Sequence, residues 1–158
     1  MTHIGGSAID LQADAKRSSQ SAAKGPSILI VDDDLDVLMP LSDSLRSLIP
    51  GALIYPAESG AEALQYLCDH PVDLVITDYR MPGLSGIDLA KILRRAKKSP
   101  PAILMTGHPS AGLAYRATHE AHFSALLAKP FDAEVLAAKA IELLSQGQAR
   151  SHRFHHDD

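Results

Sequence analysis

A single cysteine, Cys68, rules out any intrachain disulfide and suits a reducing, cytoplasmic setting. Tryptophan is absent and aromatics make up only 4% of the 158 residues, so a core has to be built from Leu, Ile, Val and Ala. That composition is typical of helix-covered parallel sheets. No apolar run approaches the ~18 residues of a membrane span, and residues 1–27 lack a continuous apolar stretch of signal-peptide type. A basic excess is missing too: the net charge of −4 argues against a nucleic-acid binder held by phosphate contacts. Aliphatic residues, by contrast, are plentiful. Apolar residues form 46% of the chain, enough to build the core of one domain of ordinary size.

Residues 1–26 are rich in Ser, Ala, Gly and Lys and end in Gly25-Pro26, a composition suited to a flexible tail in which Ile9 to Ala15 is able to form a short helix. Residues 147–158 read as a polar, solvated tail, and its histidines have no scaffold to orient them on a metal. Between the tails, residues 27–146 alternate strand and helix patterns five times, as successive βα units do. The first helix is expected from Asp34 to Ile49, capped by Asp34, with Pro40 bending it or delaying its start. Ser59 with Glu62 forms a capping box for a helix through Cys68, and Ser85 with Asp88 starts a third. The third helix ends in the basic residues Arg94, Arg95, Lys97 and Lys98. A weaker helix spans Ala111 to Ala121, and Asp132 caps the last, where Val135, Leu136, Ile141 and Leu144 are available for burial.

Four apolar runs end in groups that carry chemistry: Ile28-Leu29-Ile30-Val31 in Asp32-Asp33, Leu74-Val75-Ile76-Thr77 in Asp78, Ile103-Leu104-Met105 in Thr106, and Leu126-Leu127-Ala128 in Lys129. In a parallel sheet such ends converge at one edge, where ligands bind. Adjacent carboxylates are costly to hold together without a cation, and magnesium takes oxygen ligands while keeping waters for a phosphate. Taken alone, Asp32 and Asp33 read equally well as loop residues. Asp78 alone reads equally well as a turn residue, yet a carboxylate there can also attack phosphorus. Thr106 can donate to a phosphoryl oxygen, and Gly107 after it lets a backbone approach a ligand. Lys129 can neutralise phosphoryl charge, and its peptide bond to Pro130 is a candidate for the cis form. Two carboxylates for a metal, one as nucleophile, a hydroxyl and a cation together make a phosphoryl-transfer site.

The segment Asp78-Tyr79-Arg80-Met81-Pro82-Gly83, the 45-residue spacing from Asp33 to Asp78, and the order of Thr106 and Lys129 resemble the receiver domain of two-component response regulators. The resemblance covers about Ser27 to Gln146. It implies an α/β, flavodoxin-like, doubly wound five-stranded parallel sheet in order 2-1-3-4-5 with helices on both faces. It further implies that Asp33 binds Mg2+ directly and Asp32 through water, that Asp78 contributes an oxygen, and that the Arg80 backbone carbonyl completes the protein's share. Asp78 would accept the phosphoryl group from a histidine kinase or histidine phosphotransfer protein, with Thr106 and Lys129 holding it. The expected protein is a stand-alone, chemotaxis-regulator-like receiver rather than an enzyme. It would signal by protein contact or phosphorelay, with no nucleic-acid or membrane partner; dimerisation through its fourth and fifth helical units stays open.

Two positions depart from the family pattern. The usual Tyr or Phe three residues before the lysine is Leu126, and the usual Gly-Ala upstream is His122-Phe123. The chemistry is expected to survive these changes, whereas the read-out is altered, with Phe123 weighed as a substitute for the missing ring. Arg80 and His108, two residues after Asp78 and Thr106, flank the expected path of attacking water and read equally well as groups that change the lifetime of a phosphoryl group or as ordinary loop side chains. A haloacid-dehalogenase-type phosphatase fits poorly, since neither reading frame from Asp32 or Asp34 gives its Asp-x-Asp-x-Thr/Val motif. A phosphorylation-independent pseudo-receiver would bind its partner equally after Asp78→Ala.

Overall fold

The computed structural model describes residues 25–153. The N-terminal segment, including the helix considered over residues 9–15, and the last five residues lie outside that range. Five strands, β1 (Ser27–Val31), β2 (Leu53–Ala57), β3 (Leu74–Asp78), β4 (Ala102–Thr106) and β5 (Ala125–Ala128), pair in parallel in the order β2-β1-β3-β4-β5. The expected architecture and strand order are therefore observed.

Five helices connect and cover the strands: α1 (Leu35–Leu48), α2 (Gly60–Asp69), α3 (Gly86–Leu93), α4 (Ala111–Tyr115) and α5 (Ala133–Arg153). Successive strand residues point to opposite faces, and the core divides accordingly. Ile28, Ile30, Leu74, Ile76, Ile103 and Met105 pack with Leu38, Leu41 and Leu45 of α1 and Leu136, Ala140 and Leu143 of α5. On the other face Leu29, Val31, Val75 and Leu104 pack with Ala63 of α2, Ile87 and Leu89 of α3, and Leu113 of α4. Every residue of β3 and β4 is buried, so the strands that end in Asp78 and Thr106 are held on both faces.

Local chemistry sets the helix starts. The Asp34 side chain accepts from the Asp36 N–H at 2.9 Å, and Ser85 and Asp88 form a reciprocal capping box. Ser59 accepts from the Glu62 N–H, but the Glu62 carboxylate reaches one residue further, to the N–H of Glu58 at 3.0 Å. Pro40 neither delays nor ends α1. It sits on the exposed side, four residues after the likewise exposed Asp36, whose carbonyl loses its helical donor.

Four expectations about the later helices change. The third helix stops at Leu93, so of the basic run only Arg94 lies at its end, as the C-cap. The helix expected over Ala111–Ala121 is split into the five-residue α4 and a π-helical turn, Arg116–Glu120. In α5 the buried stripe is Leu136, Ala137, Ala140 and Leu143, while Val135 and Ile141 are 51% and 46% exposed. Small alanines let α5 lie close to the sheet, and a reading weighted to bulky side chains misplaces that face. The helix also continues beyond Gln146 to Arg153, because Gly147 is followed by helix-tolerant Gln, Ala and Arg with no proline.

β2 is one of the two outer edges of the sheet, and β5 is the other. The N–H of Leu53 donates to the Pro26 carbonyl, so the alternate residues Ile54 and Pro56 turn their backbone groups outward. Pro56 has no N–H to offer, and the Ile54 carbonyl accepts from Arg46 of α1 at 3.2 Å. No helix of the described residues is long and apolar enough to cross a membrane.

Candidate functional site

Asp32 follows directly on β1, Asp78 ends β3 and Thr106 ends β4, while Lys129 comes immediately after β5. The parallel register puts all four at one edge of the sheet. Asp78 pairs with Met105, and Thr106 pairs with Ala128, the residue before Lys129. The Lys129 N–H donates to the Thr106 carbonyl at 2.7 Å, and the Lys129-Pro130 peptide is cis.

The Lys129 ammonium lies 2.8 Å from Asp32 Oδ2 and 2.9 Å from Asp78 Oδ1. Asp32 Oδ1 accepts from the Asp34 N–H at 3.0 Å. Asp32, Asp78 and Thr106 are buried, and Asp33 is exposed. One carboxylate oxygen from each of Asp32, Asp33 and Asp78 lies within 4.8 Å of the others. Three carboxylates against one ammonium leave two negative charges uncompensated. An all-oxygen donor set of that charge fits a hard divalent cation such as magnesium.

Burial pushes the Asp78 carboxyl above its ordinary value; the Lys129 hydrogen bond draws it down, and the charge of Asp32 pushes it up again. Burial acts to lower the Lys129 ammonium, but its bonds and attraction to Asp32 and Asp78 outweigh this and raise it. The site therefore keeps its lysine charged while disfavouring the charge on the carboxylate beside it.

The backbone around Asp78 is tightly fixed. The Thr77 hydroxyl donates to the Asp78 carbonyl at 3.0 Å, the Tyr79 N–H donates to the Met105 carbonyl, and the Gly86 N–H donates to the Tyr79 carbonyl. Gly86 approaches so closely that a Cβ there would lie 2.3 Å from the Asp78 carbonyl oxygen. On the neighbouring strand, Thr106 Oγ1 accepts from the His108 N–H at 3.1 Å, leaving its hydroxyl hydrogen for another acceptor.

The structure thus brings together Asp32, Asp33, Asp78 and Lys129, and sets Thr106 at the adjoining strand end. Arg80 is in the exposed loop after Asp78, and His108 is in the loop after Thr106. Leu126 packs against the core on the α4 side, and Phe123 is buried in that core. Sequence reasoning missed three features. One is the close packing of Gly86 against the Asp78 carbonyl. The Lys129–Asp32 pair joins residues 97 apart in the chain. The Tyr79 hydroxyl accepts from Arg116 of the π turn at 3.3 Å. Only Gly86 carried a local signal, as a glycine just after a cap where a better helix former is the usual choice.

Comparison with known proteins agrees with this geometry. Residues 28–141 match the family model for the response regulator receiver domain. The Escherichia coli (strain K12) transcriptional regulatory protein GlrR is 38% identical over 119 residues, covering 75% of this chain and 26% of that protein. The sensor histidine kinase TmoS of Ectopseudomonas mendocina is 34% identical over 122 residues, 76% of this chain and 12% of the kinase. This chain therefore spans about a quarter or less of these two relatives. A signal receiver domain of an HD domain-containing protein from Pseudomonas fluorescens Pf-5 superposes with a TM-score of 0.74 at 28% identity, covering 80% of this chain and 99% of that one. With the family match over most of its length and the acidic edge assembled as described, the chain belongs to the response regulator receiver domain family.

Proposed function

We propose that this receiver is a magnesium-dependent phosphorylation switch of a two-component pathway, working in the cytoplasm with Asp78 as phosphoacceptor. An Asp78 carboxylate oxygen attacks the phosphorus of a phosphohistidine on a kinase or phosphotransfer protein. The P–N bond breaks and its electron pair leaves on the imidazole nitrogen. Asp32, Asp33, Asp78 and the Arg80 carbonyl are the groups that would hold magnesium, which when bound neutralises charge on the phosphoryl oxygens. Lys129 sits where it can exchange its bond to Asp78 for one to the transferred group, and the Thr106 hydroxyl donates to another of that group's oxygens. The output is a protein–protein contact or onward phosphoryl transfer.

The observation that carries this reading is the convergence of three carboxylate oxygens within 4.8 Å, with Lys129 2.9 Å from Asp78. Intact-protein mass after incubation with phosphoramidate tests it. One added phosphoryl group that requires both magnesium and Asp78 is expected. No adduct on folded protein, together with no uptake of beryllofluoride, would sink the reading and leave a phosphorylation-independent interaction module.

A further inference from the structure

The segment between β4 and β5 is held very unequally along its length. Its second half is anchored from α3. Arg94 donates to the carbonyls of Ala121 and His122, Lys91 pairs with Glu120 at 3.2 Å, and Ala117, Ala121 and Phe123 are buried. Its first half, α4, buries Leu113 alone; Ala111, Gly112, Ala114 and Tyr115 are exposed. An element with so few buried groups belongs to the part of a fold that moves at low cost. The boundary between the halves is a π turn, where the Ala121 N–H reaches back five residues to the Arg116 carbonyl at 3.1 Å. Single π turns inside helices are frequent at functional positions.

Arg116 stands at that boundary and reaches in two directions. Its Nη1 donates to the Tyr79 hydroxyl at 3.3 Å, and its Nε lies 3.6 Å from Glu120 Oε2. Tyr79 is the residue after Asp78, and its backbone is fixed on both sides, to Met105 and to Gly86, each at 2.9 Å. The ring itself packs against the core beside the strand end that carries Asp78. The loosely held helix meets the acidic edge by two routes: the chain through Thr106 and His108, and the Tyr79–Arg116 hydrogen bond.

We propose that the Tyr79–Arg116 hydrogen bond is a latch that holds α4 against the acidic edge, so that filling the site and releasing α4 are coupled through it. The coupling rests on the reading of Asp78 given above; the latch itself does not. A group added at Asp78 takes Lys129 from the carboxylate and engages the Thr106 hydroxyl, and Thr106 holds the N–H of His108 at the approach to α4. Release then lets α4 shift the already exposed face around Tyr115, whose ring stacks on His119 at 4.3 Å. Coupling between two such states is reciprocal, so whatever weakens the latch must favour the filled site by the same factor.

The test is amide hydrogen exchange over residues 107–116 of the full chain, with and without beryllofluoride and magnesium, in the parent, Tyr79→Phe and Arg116→Gln. Tyr79→Phe keeps the ring in the core and removes only the hydroxyl. In the unfilled protein both variants should exchange faster here by roughly two- to tenfold, the range for losing one such hydrogen bond. Beryllofluoride should speed the parent to that level, add little in the variants, and bind Tyr79→Phe tighter by the same factor. Unchanged exchange in the unfilled variants overturns the latch without reference to any ligand. Weaker beryllofluoride binding by Tyr79→Phe also overturns it, since a merely structural role predicts that sign. A parent that takes up no beryllofluoride overturns the reading of Asp78 and the coupling, while faster exchange in the unfilled variants still supports the latch.

Discussion

The Lys129 ammonium bridges Asp32 and Asp78, 2.8 Å from one and 2.9 Å from the other, and so offsets the repulsion between two carboxylates on adjacent strands. In Lys129→Ala those buried groups lose their counter-charge. Breaking such a partnership costs about 1–3 kcal/mol in protein without metal. Urea titration should show that loss, with much of it recovered on adding magnesium. Phosphoryl uptake from phosphoramidate should fall at least about tenfold, because a charge-assisted contact to the transferred group is gone. A variant as stable as the parent without metal would remove the bridging role.

Acidity gives a second check. The folded-state pKa of Asp78 is raised, mainly by burial, so this group's contribution to stability is present at low pH and lost as pH rises through that value. At pH 7 without metal, the charged Asp78 is therefore a net cost. Asp78→Asn should show a higher urea midpoint than the parent at pH 7, and the gap should shrink as the pH falls toward the ordinary carboxylate range. A gap that widened on acidification would contradict the sign.

Lys129 titrates in the opposite window. Its raised pKa means that the stability it contributes is held through neutral pH and lost only in strong alkali, as the ammonium loses its proton. The Lys129→Ala deficit should accordingly vanish as the parent is carried through that alkaline transition, which pH-dependent melting would report.

Magnesium should stabilise the protein by mass action, raising the melting temperature with the logarithm of its concentration. Asp33 is exposed at the mouth of the acidic group, so Asp33→Asn should leave the metal-free protein within about 0.5 kcal/mol of the parent. The magnesium-dependent increment should be largely lost. Parallel thermal melts of the two proteins across a magnesium series decide this.

Two glycines make a matched pair. Gly86→Ala drives a Cβ to 2.3 Å from the Asp78 carbonyl oxygen, whereas Gly112→Ala in α4 meets nothing within 4 Å. The first should destabilise by about 1–3 kcal/mol. The second should stabilise by about 0.5–1 kcal/mol, since a helical glycine is entropically unfavourable. Equal melting temperatures for the two variants would show that the backbone beside Asp78 yields freely.

The strands and the order of their polar ends were legible because a strand buried on both faces must be a short aliphatic run, and a carboxylate or lysine can sit only where that run stops. Asp32, Asp78, Thr106 and Lys129 stood out for that reason. The contacts among them were less visible, since Lys129 meets Asp32 across 97 residues and nothing local records it. The break at Arg116 was hidden for a similar reason. Residues 111–121 carry no proline, and the turn is anchored by Arg94, which lies 27 residues before Ala121. In α5 the face against the sheet is half alanine, so Val135 and Ile141 drew attention that the packing does not support.

Two exposed side chains of β2, Leu53 and Tyr55, would invite another chain to extend the sheet if the backbone beside them were open. It is not: Arg46 occupies the Ile54 carbonyl, and Pro56 has no hydrogen to give. An incoming strand finds an irregular ladder there and gains too few bonds to register. Along this edge, copies of the chain gain too little from one another to template a growing sheet.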